Sequence, residues 1–196
     1  MNHEPDEAVA VPGGALRWHR VGWQAGYALS VLLILALIAL LVGALAAGLQ
    51  ARRDEARTAD VLLIVAPEVP SAALVEHAFE LYRRRYAPSV VIVGAGSEAM
   101  RIALIERGAP EGALQAPTPT TEPVAALRDS ARAARQAGAA SALIVAEPAE
   151  VLLWIKLVGD NDLKAYGAPP PGVTPGPLAL LRASGQYWRY VLFQRW

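Results

Sequence analysis

Five glutamates and one glycine-rich turn are the residues of this chain whose types and positions could do chemistry. VIVGAGSEAM, residues 91–100, runs from a β-branched stretch into Gly94-Ala95-Gly96, then Ser97-Glu98 and a helical pattern. Glycines there let the backbone turn sharply and approach a bound group. The following helix offers free N–H groups and the positive end of its dipole, which suits an anion. On this reading Gly94, Gly96, Ser97 and Glu98 are ligand-binding candidates. The motif is not a full dinucleotide fingerprint, because Met100-Arg101 follows where a third glycine is required. It also lacks the Gly-Lys-Ser/Thr of a phosphate-binding loop. The structural alternative is that Ser97 caps the helix and Glu98 sits in its first turn, where the dipole favours an acid.

Glu68, Glu98, Glu122, Glu147 and Glu150 are placed to gather at one rim. Carboxylates from several loops hold Mg²⁺ or Ca²⁺ through oxygen, and Glu98, Glu122 and Glu150 are the candidates for general acid/base work. The alternative is that these acids occupy helix first turns for the sake of the dipole. No Ser-His-Asp set is available, since His77 is the one histidine after the long apolar run and falls inside a predicted helix. A surface or packing role is the reading for it. The chain contains no cysteine, which excludes disulfides, Cys-based zinc sites and thiol nucleophiles. No metal site and no cofactor is assigned. Eighteen basic and eighteen acidic residues balance, leaving no basic excess for nucleic acid.

The elements that must position these residues alternate. VLLIVA at 61–66, VVIV at 90–93 and SALIVA at 141–146 are short continuous apolar runs, the pattern of strands buried on both faces of a parallel sheet. A weaker strand is expected near 113–115 and an edge strand at LKAYG. Helices are predicted from a Ser71 cap to about Tyr86, from Ser97 to Arg107, from Glu122-Pro123 to Gln136, and from about Ala149 to Val158. This alternation means βαβ units and a parallel sheet covered on both faces. In such sheets ligands bind beyond the carboxyl ends of the strands, where Pro67-Glu68, the Gly94–Glu98 turn and Glu147-Pro148 emerge. The 118–122 loop belongs close to them, which makes Thr120 a further ligand-binding candidate. PPPGVTPGP, 169–177, is a spacer, and the chain ends in a helix rich in Tyr, Trp and Arg.

Residues 26–49, GYALSVLLILALIALLVGALAAGL, carry no charge, and about 20 apolar residues span a bilayer core as a helix. Trp18, Trp23 and Tyr27 crowd one end, as interfacial aromatic residues do; Arg52 and Arg53 close the other. Ala44-Leu45-Ala46 resembles a signal-peptide cleavage pattern, but the run is longer than a signal core and follows a long polar leader. The reading is an uncleaved single-pass anchor in the cell membrane. The organisation is then a polar leader (1–25), a transmembrane helix (26–49), a linker (50–59) and a soluble domain (60–196). The expected partners are the lipid bilayer and a membrane protein docking through the transmembrane helix or the C-terminal Tyr/Trp/Arg helix. For that C-terminal helix two readings stand. Trp188, Val191 and Leu192 pack on the sheet as core, or Tyr187, Trp188, Tyr190 and Trp196 rest with Arg182, Arg189 and Arg195 at the headgroup layer.

Residues 60–196 resemble the SanA/YdcF/ElyC-like family (domain of unknown function 218). LYRRRYAPSVVIVGAG is similar to its helix, Ala-Pro, strand and Gly turn. SEAMRIALIERGAP is similar to its Glu-Ala-x-x-Met segment, Thr120-x-Glu122 to its Asn-Thr-x-Glu-Asn, and ALIVAEPAEVLL to a strand followed by Thr-Ser-x-x-His-Met-x-Arg. The resemblance implies a membrane-anchored, Rossmann-like, three-layer α/β domain with a mostly parallel sheet, associated with cell-envelope integrity. It also places residues 51–196 outside the cytoplasm, whereas two arginines before the span against three after it lean the other way. The chain departs from the family pattern at Ala66-Pro67-Glu68, Pro117 and Pro119, and it carries Glu150 at the His position and Leu152 and Leu153 at the Arg position. A histidine and an arginine would serve an anionic ligand; a carboxylate and aliphatic groups would not. The expectation is a binding component rather than an enzyme. The alternative is a divergent enzyme that acts through carboxylates on a lipid-linked or phosphorylated envelope precursor.

Overall fold

Every residue of the run Val61–Val65 is buried, which requires neighbouring strands on both sides and helices on both faces. In the computed structural model, which describes residues 15–53, 55–115 and 122–194, β1 (Val61–Val65) is the central strand. It pairs in parallel with β2 (Val90–Val93) and with β4 (Ser141–Val145). β3 (Leu114–Gln115) and β5 (Lys164–Gly167) complete a five-stranded sheet in the order β3-β2-β1-β4-β5. All pairings are parallel, and the order reverses between β1 and β4, the arrangement of a Rossmann-like sheet.

Successive side chains of a strand face opposite ways, so each strand feeds two cores. Leu62 and Ile64 join α2 (Ala72–Arg83) and α3 (Ser97–Glu106) on one face, with Leu74, Ala78, Met100 and Leu104. Val61, Leu63 and Val65 join α4 (Pro123–Gln136) and α5 (Val151–Gly159) on the other, with Leu127, Ala131, Trp154 and Leu157. Fully burying one such side chain is worth about 1.5–3 kcal/mol, so the two layers bind the sheet independently of any ligand.

The local signals act largely as read from the sequence. The Ser71 hydroxyl accepts from Leu74 N–H at 3.3 Å and caps α2. Pro123 opens α4 in its first turn. Two local expectations are corrected. α2 ends at Arg83 rather than near Tyr86, because Arg85 takes a left-handed conformation (φ 58°) ahead of Pro88. The N-cap of α3 is Gly96 and not Ser97, which lies one residue inside the helix.

By internal contacts the chain divides into residues 1–39 and 40–196. α1 (Ala15–Gln50) contains the stretch Gly26–Gln50, 25 residues whose most apolar 18-residue segment has a mean hydropathy of 3.0, long and apolar enough to cross a bilayer. In the first unit Leu29, Leu32, Leu33, Leu35 and Ile38 are exposed. In the second, the last turns of α1 pack against α6 (Pro177–Arg189): the Ser184 hydroxyl donates to Leu40 C=O at 2.8 Å. Residues 55–59 are fixed to the sheet, with Glu55 N–H donating to Gly167 C=O at 3.0 Å and Arg57 lying over the Tyr166 ring at 4.6 Å.

Candidate functional site

The turn after β2 is filled by the protein's own main chain. A Cβ added at Gly94 would lie 2.3 Å from Ala66 O, and one at Gly96 would lie 1.9 Å from Pro67 O and 3.1 Å from Glu68 O. Real side chains never come that close. Gly94 also has φ +111°, which L residues avoid; Gly96, at φ −93°, is needed for the close approach alone. Gly96 N–H points to Ala66 C=O at 3.4 Å and Ser97 N–H to Gly94 C=O at 3.2 Å. Two amides that would face an anion are therefore turned to the chain itself. The segment seated on the glycines is Ala66-Pro67-Glu68, the loop that leaves β1.

Ser97 is buried, and its hydroxyl has no hydrogen-bond partner. Glu98 lies on the outside of α3, where Arg101 grips it with two hydrogen bonds of 2.7 and 3.0 Å. Those bonds hold the Glu98 carboxyl below the usual carboxylate range. Arg101 is shared with Glu111 at 2.8 Å. A carboxylate fixed in the ionised form at an exposed ion pair is poorly suited to donate a proton. Thr120, Pro117 and Pro119 lie outside the described residues.

Beside the filled turn, at the point where the strand order reverses, a cleft of about 460 Å³ opens. Its walls are apolar (Val65, Val124, Leu153, Trp154), and Glu68, Glu122, Glu150 and Arg189 bring charge to it. Glu150 stands at the N-terminus of α5, its backbone following the turn closed by Glu150 N–H to Glu147 C=O at 2.9 Å. Trp154, one helical turn on, donates its indole N–H to the Glu150 carboxylate at 3.4 Å. Burial raises the Glu150 carboxyl above its ordinary range, the Trp154 bond opposes the shift, Glu147 adds to it and Arg182 reduces it. This is the one proposed acid that the structure both partly desolvates and leaves at a cleft. Leu153, at the position where the resemblance would place an arginine, is a buried wall of the cleft.

Of the five glutamates, Glu68, Glu122 and Glu150 therefore share the cleft, Glu98 faces away, and Glu147 is tied down. The Ser71 hydroxyl donates to Glu147 at 2.9 Å, which clamps the loop after β1 to the loop after β4. Among the described residues no group of three or more His, Asp or Glu is arranged to hold a metal ion. His77 is partly buried on α2. A larger groove, about 650 Å³ beside β2 and α4, has Asp129 as the single charged residue among the described residues that line it.

Two contributors were not assigned to this cleft from sequence. Trp154 reads as one more apolar position of a buried helix, and Arg189 reads as part of the C-terminal helix rather than of the sheet's carboxyl edge. No family model matches the chain, and no curated protein is significantly similar to it.

Proposed function

We propose that this chain is a membrane-anchored, SanA/YdcF-like component of the cell envelope that acts by binding, with the anion turn of that family closed. α1 is its single-pass anchor, and residues 51–196 stand outside the cytoplasm. The observation that carries the reading is the seating of Ala66, Pro67 and Glu68 main-chain oxygens on Gly94 and Gly96. Carbonyl oxygens stand where a Cβ would be on both glycines and face the Gly96 N–H, and carbonyls repel an anion. The positions that would supply His and Arg hold Glu150, Leu152 and Leu153, so no cation compensates from that loop.

A second reading keeps an enzyme at the neighbouring cleft. It is favoured by Glu150 alone, a carboxyl raised by burial beside Trp154. In that reading Glu150 donates a proton as general acid, Glu122 is the second carboxylate of the cleft, and the substrate is a lipid-linked or phosphorylated precursor.

Complementation separates the two. Cells lacking the protein are expected to become sensitive to envelope-acting agents. The E98A/E122A/E150A triple variant is expected to restore resistance fully, and a variant without residues 1–50 is expected not to. A triple variant that reaches wild-type levels in the membrane yet fails to restore resistance would replace the binding reading with the enzymatic one.

A further inference from the structure

The C-terminal helix touches two parts of residues 40–196 at once. One face, Leu180, Ser184 and Trp188, lies against the end of α1. A Cβ at Gly48 would meet the Leu180 side chain at 3.5 Å, and one at Gly43 would meet Ser184 Oγ at 2.2 Å and Trp188 Nε1 at 2.9 Å. As α6 advances from Leu180 to Trp188, its contacts on α1 therefore retreat from Gly48 towards Leu40. The two helices are antiparallel, and the contact runs along residues that belong to the apolar stretch Gly26–Gln50. Seven residues of helix separate Gln50 from Gly43, a rise of about 10 Å. If Gly26–Gln50 crosses a bilayer, Trp188 lies at the depth where interfacial helices rest, about 5–10 Å into the headgroup and acyl boundary.

The chain does not turn away at that level. Tyr190 keeps helical dihedrals (φ −61°, ψ −51°) and leads into a π-helical turn, Tyr190–Gln194. Tyr190 itself is buried in the core, with Tyr187 and Val191 packed against the same cluster. The other side of this turn is apolar and uncovered: Leu192 is 60% and Phe193 78% exposed. Arg182 and Arg189 are exposed on the same helix. Neither reading of this segment holds residue by residue: Leu192, expected in the core, is exposed, while Tyr190, expected at the headgroup layer, is buried.

We infer that α6 and the π-helical turn form a second membrane contact, with Leu192 and Phe193 in the lipid beside the anchor and the arginines among anionic headgroups. This rests on the reading of α1 as a membrane span. The occupant is lipid rather than a second copy of the chain because α6 runs along Gly43 and Gly48 of the apolar stretch Gly26–Gln50 and carries exposed Arg182 and Arg189, cations that a negatively charged bilayer attracts. One consequence is that the cleft, which α6 lines through Gln186 and Arg189, is held next to the bilayer surface.

The absence of cysteine permits single labels on the full chain. F193C, L33C and E106C, each carrying an environment-sensitive fluorophore, would be reconstituted in phosphatidylcholine/phosphatidylglycerol vesicles and quenched with nitroxide lipids and with aqueous iodide. At Phe193 several-fold stronger quenching by shallow nitroxide lipid than at Glu106 is expected, with iodide protection; at Leu33 quenching by deep nitroxide is expected. Iodide access at Phe193 equal to that at Glu106, with Leu33 still deep, overturns the inference and leaves the span intact. Protection of Phe193 from both quenchers overturns it in favour of a protein cover such as a second copy. Iodide access at Leu33 removes the span and the inference together.

Discussion

Two neighbouring places on the carboxyl edge of the same sheet have opposite characters. The turn after β2 has the glycines of a ligand turn and is shut: the loop leaving β1 lies on Gly94 and Gly96 with carbonyl oxygens where a Cβ would be. The crevice between β1 and β4 has no glycine signature and is open, with a partly desolvated carboxyl at Glu150 and the Trp154 indole beside it. A Gly-x-Gly turn reports that something comes very close to the backbone. Here that something is the chain itself, and the partly desolvated carboxyl lies at a place marked by burial rather than by motif.

The largest effect should come from reopening the shut turn. Gly96→Ala drives a Cβ into the Pro67 carbonyl, and because the obstacle is backbone the cost is expected to be roughly 3 kcal/mol, read by chemical denaturation in micelles. Gly94→Ala should cost at least as much, since it adds positive-φ strain to a similar clash. A loss of less than about 0.5 kcal/mol at Gly96, the range of neutral surface changes, would mean that the loop is loosely held and the turn accessible.

The clamp between the two places is the next test. Ser71→Ala removes the cap of α2 and the bond to Glu147 together, with an expected loss of about 1 kcal/mol. The double variant with Glu147→Ala should lose less than the sum of the two single changes; strict additivity would show that the loop-to-loop bond contributes nothing.

Glu150 gives a pH signature. Its folded-state pKa is raised by burial, so the native state binds the proton more tightly than the unfolded chain, and stability falls as pH rises from the ordinary glutamate range through the folded value. Glu150→Gln is therefore expected to have a higher Tm than wild type at pH 8 and the same Tm at pH 4. An equal offset at both pH values would show that the carboxyl is not desolvated. The smallest effect belongs to Glu98→Gln. The exposed Arg101 pair should leave stability within the scatter of the measurement.

Much of this architecture is legible in residue types. VLLIV, VVIV and SALIV declare parallel strands because both faces of each are buried, and Ser71, Pro123 and Gly108 mark helix ends by local chemistry. What could not be read is what comes from afar. Nothing in VIVGAGSEAM specifies that residues 66–68 will fill it, because that contact depends on β1 and β2 being neighbours in register. Ser97 has the right chemistry for a cap, yet the turn geometry gives that position to Gly96. Glu150 looks like any acid at a helix start, and its desolvation arises only when Trp154 and the neighbouring loops close round it. The C-terminal helix is apolar on more than one side, so periodicity could not say that Tyr190 is core while Phe193 is bare.

The closed turn is tested most directly by amide NMR of the full chain in micelles, following the Gly94, Gly96 and Ser97 N–H signals during titration with inorganic phosphate and with ADP. The closed turn predicts that these signals stay unshifted into the millimolar range, with Gly96 N–H also slow to exchange with solvent. Saturable shifts at Gly96 and Ser97 with either ligand would contradict it, because they would require the Ala66-Pro67-Glu68 segment to leave its seat and the turn to bind an anion.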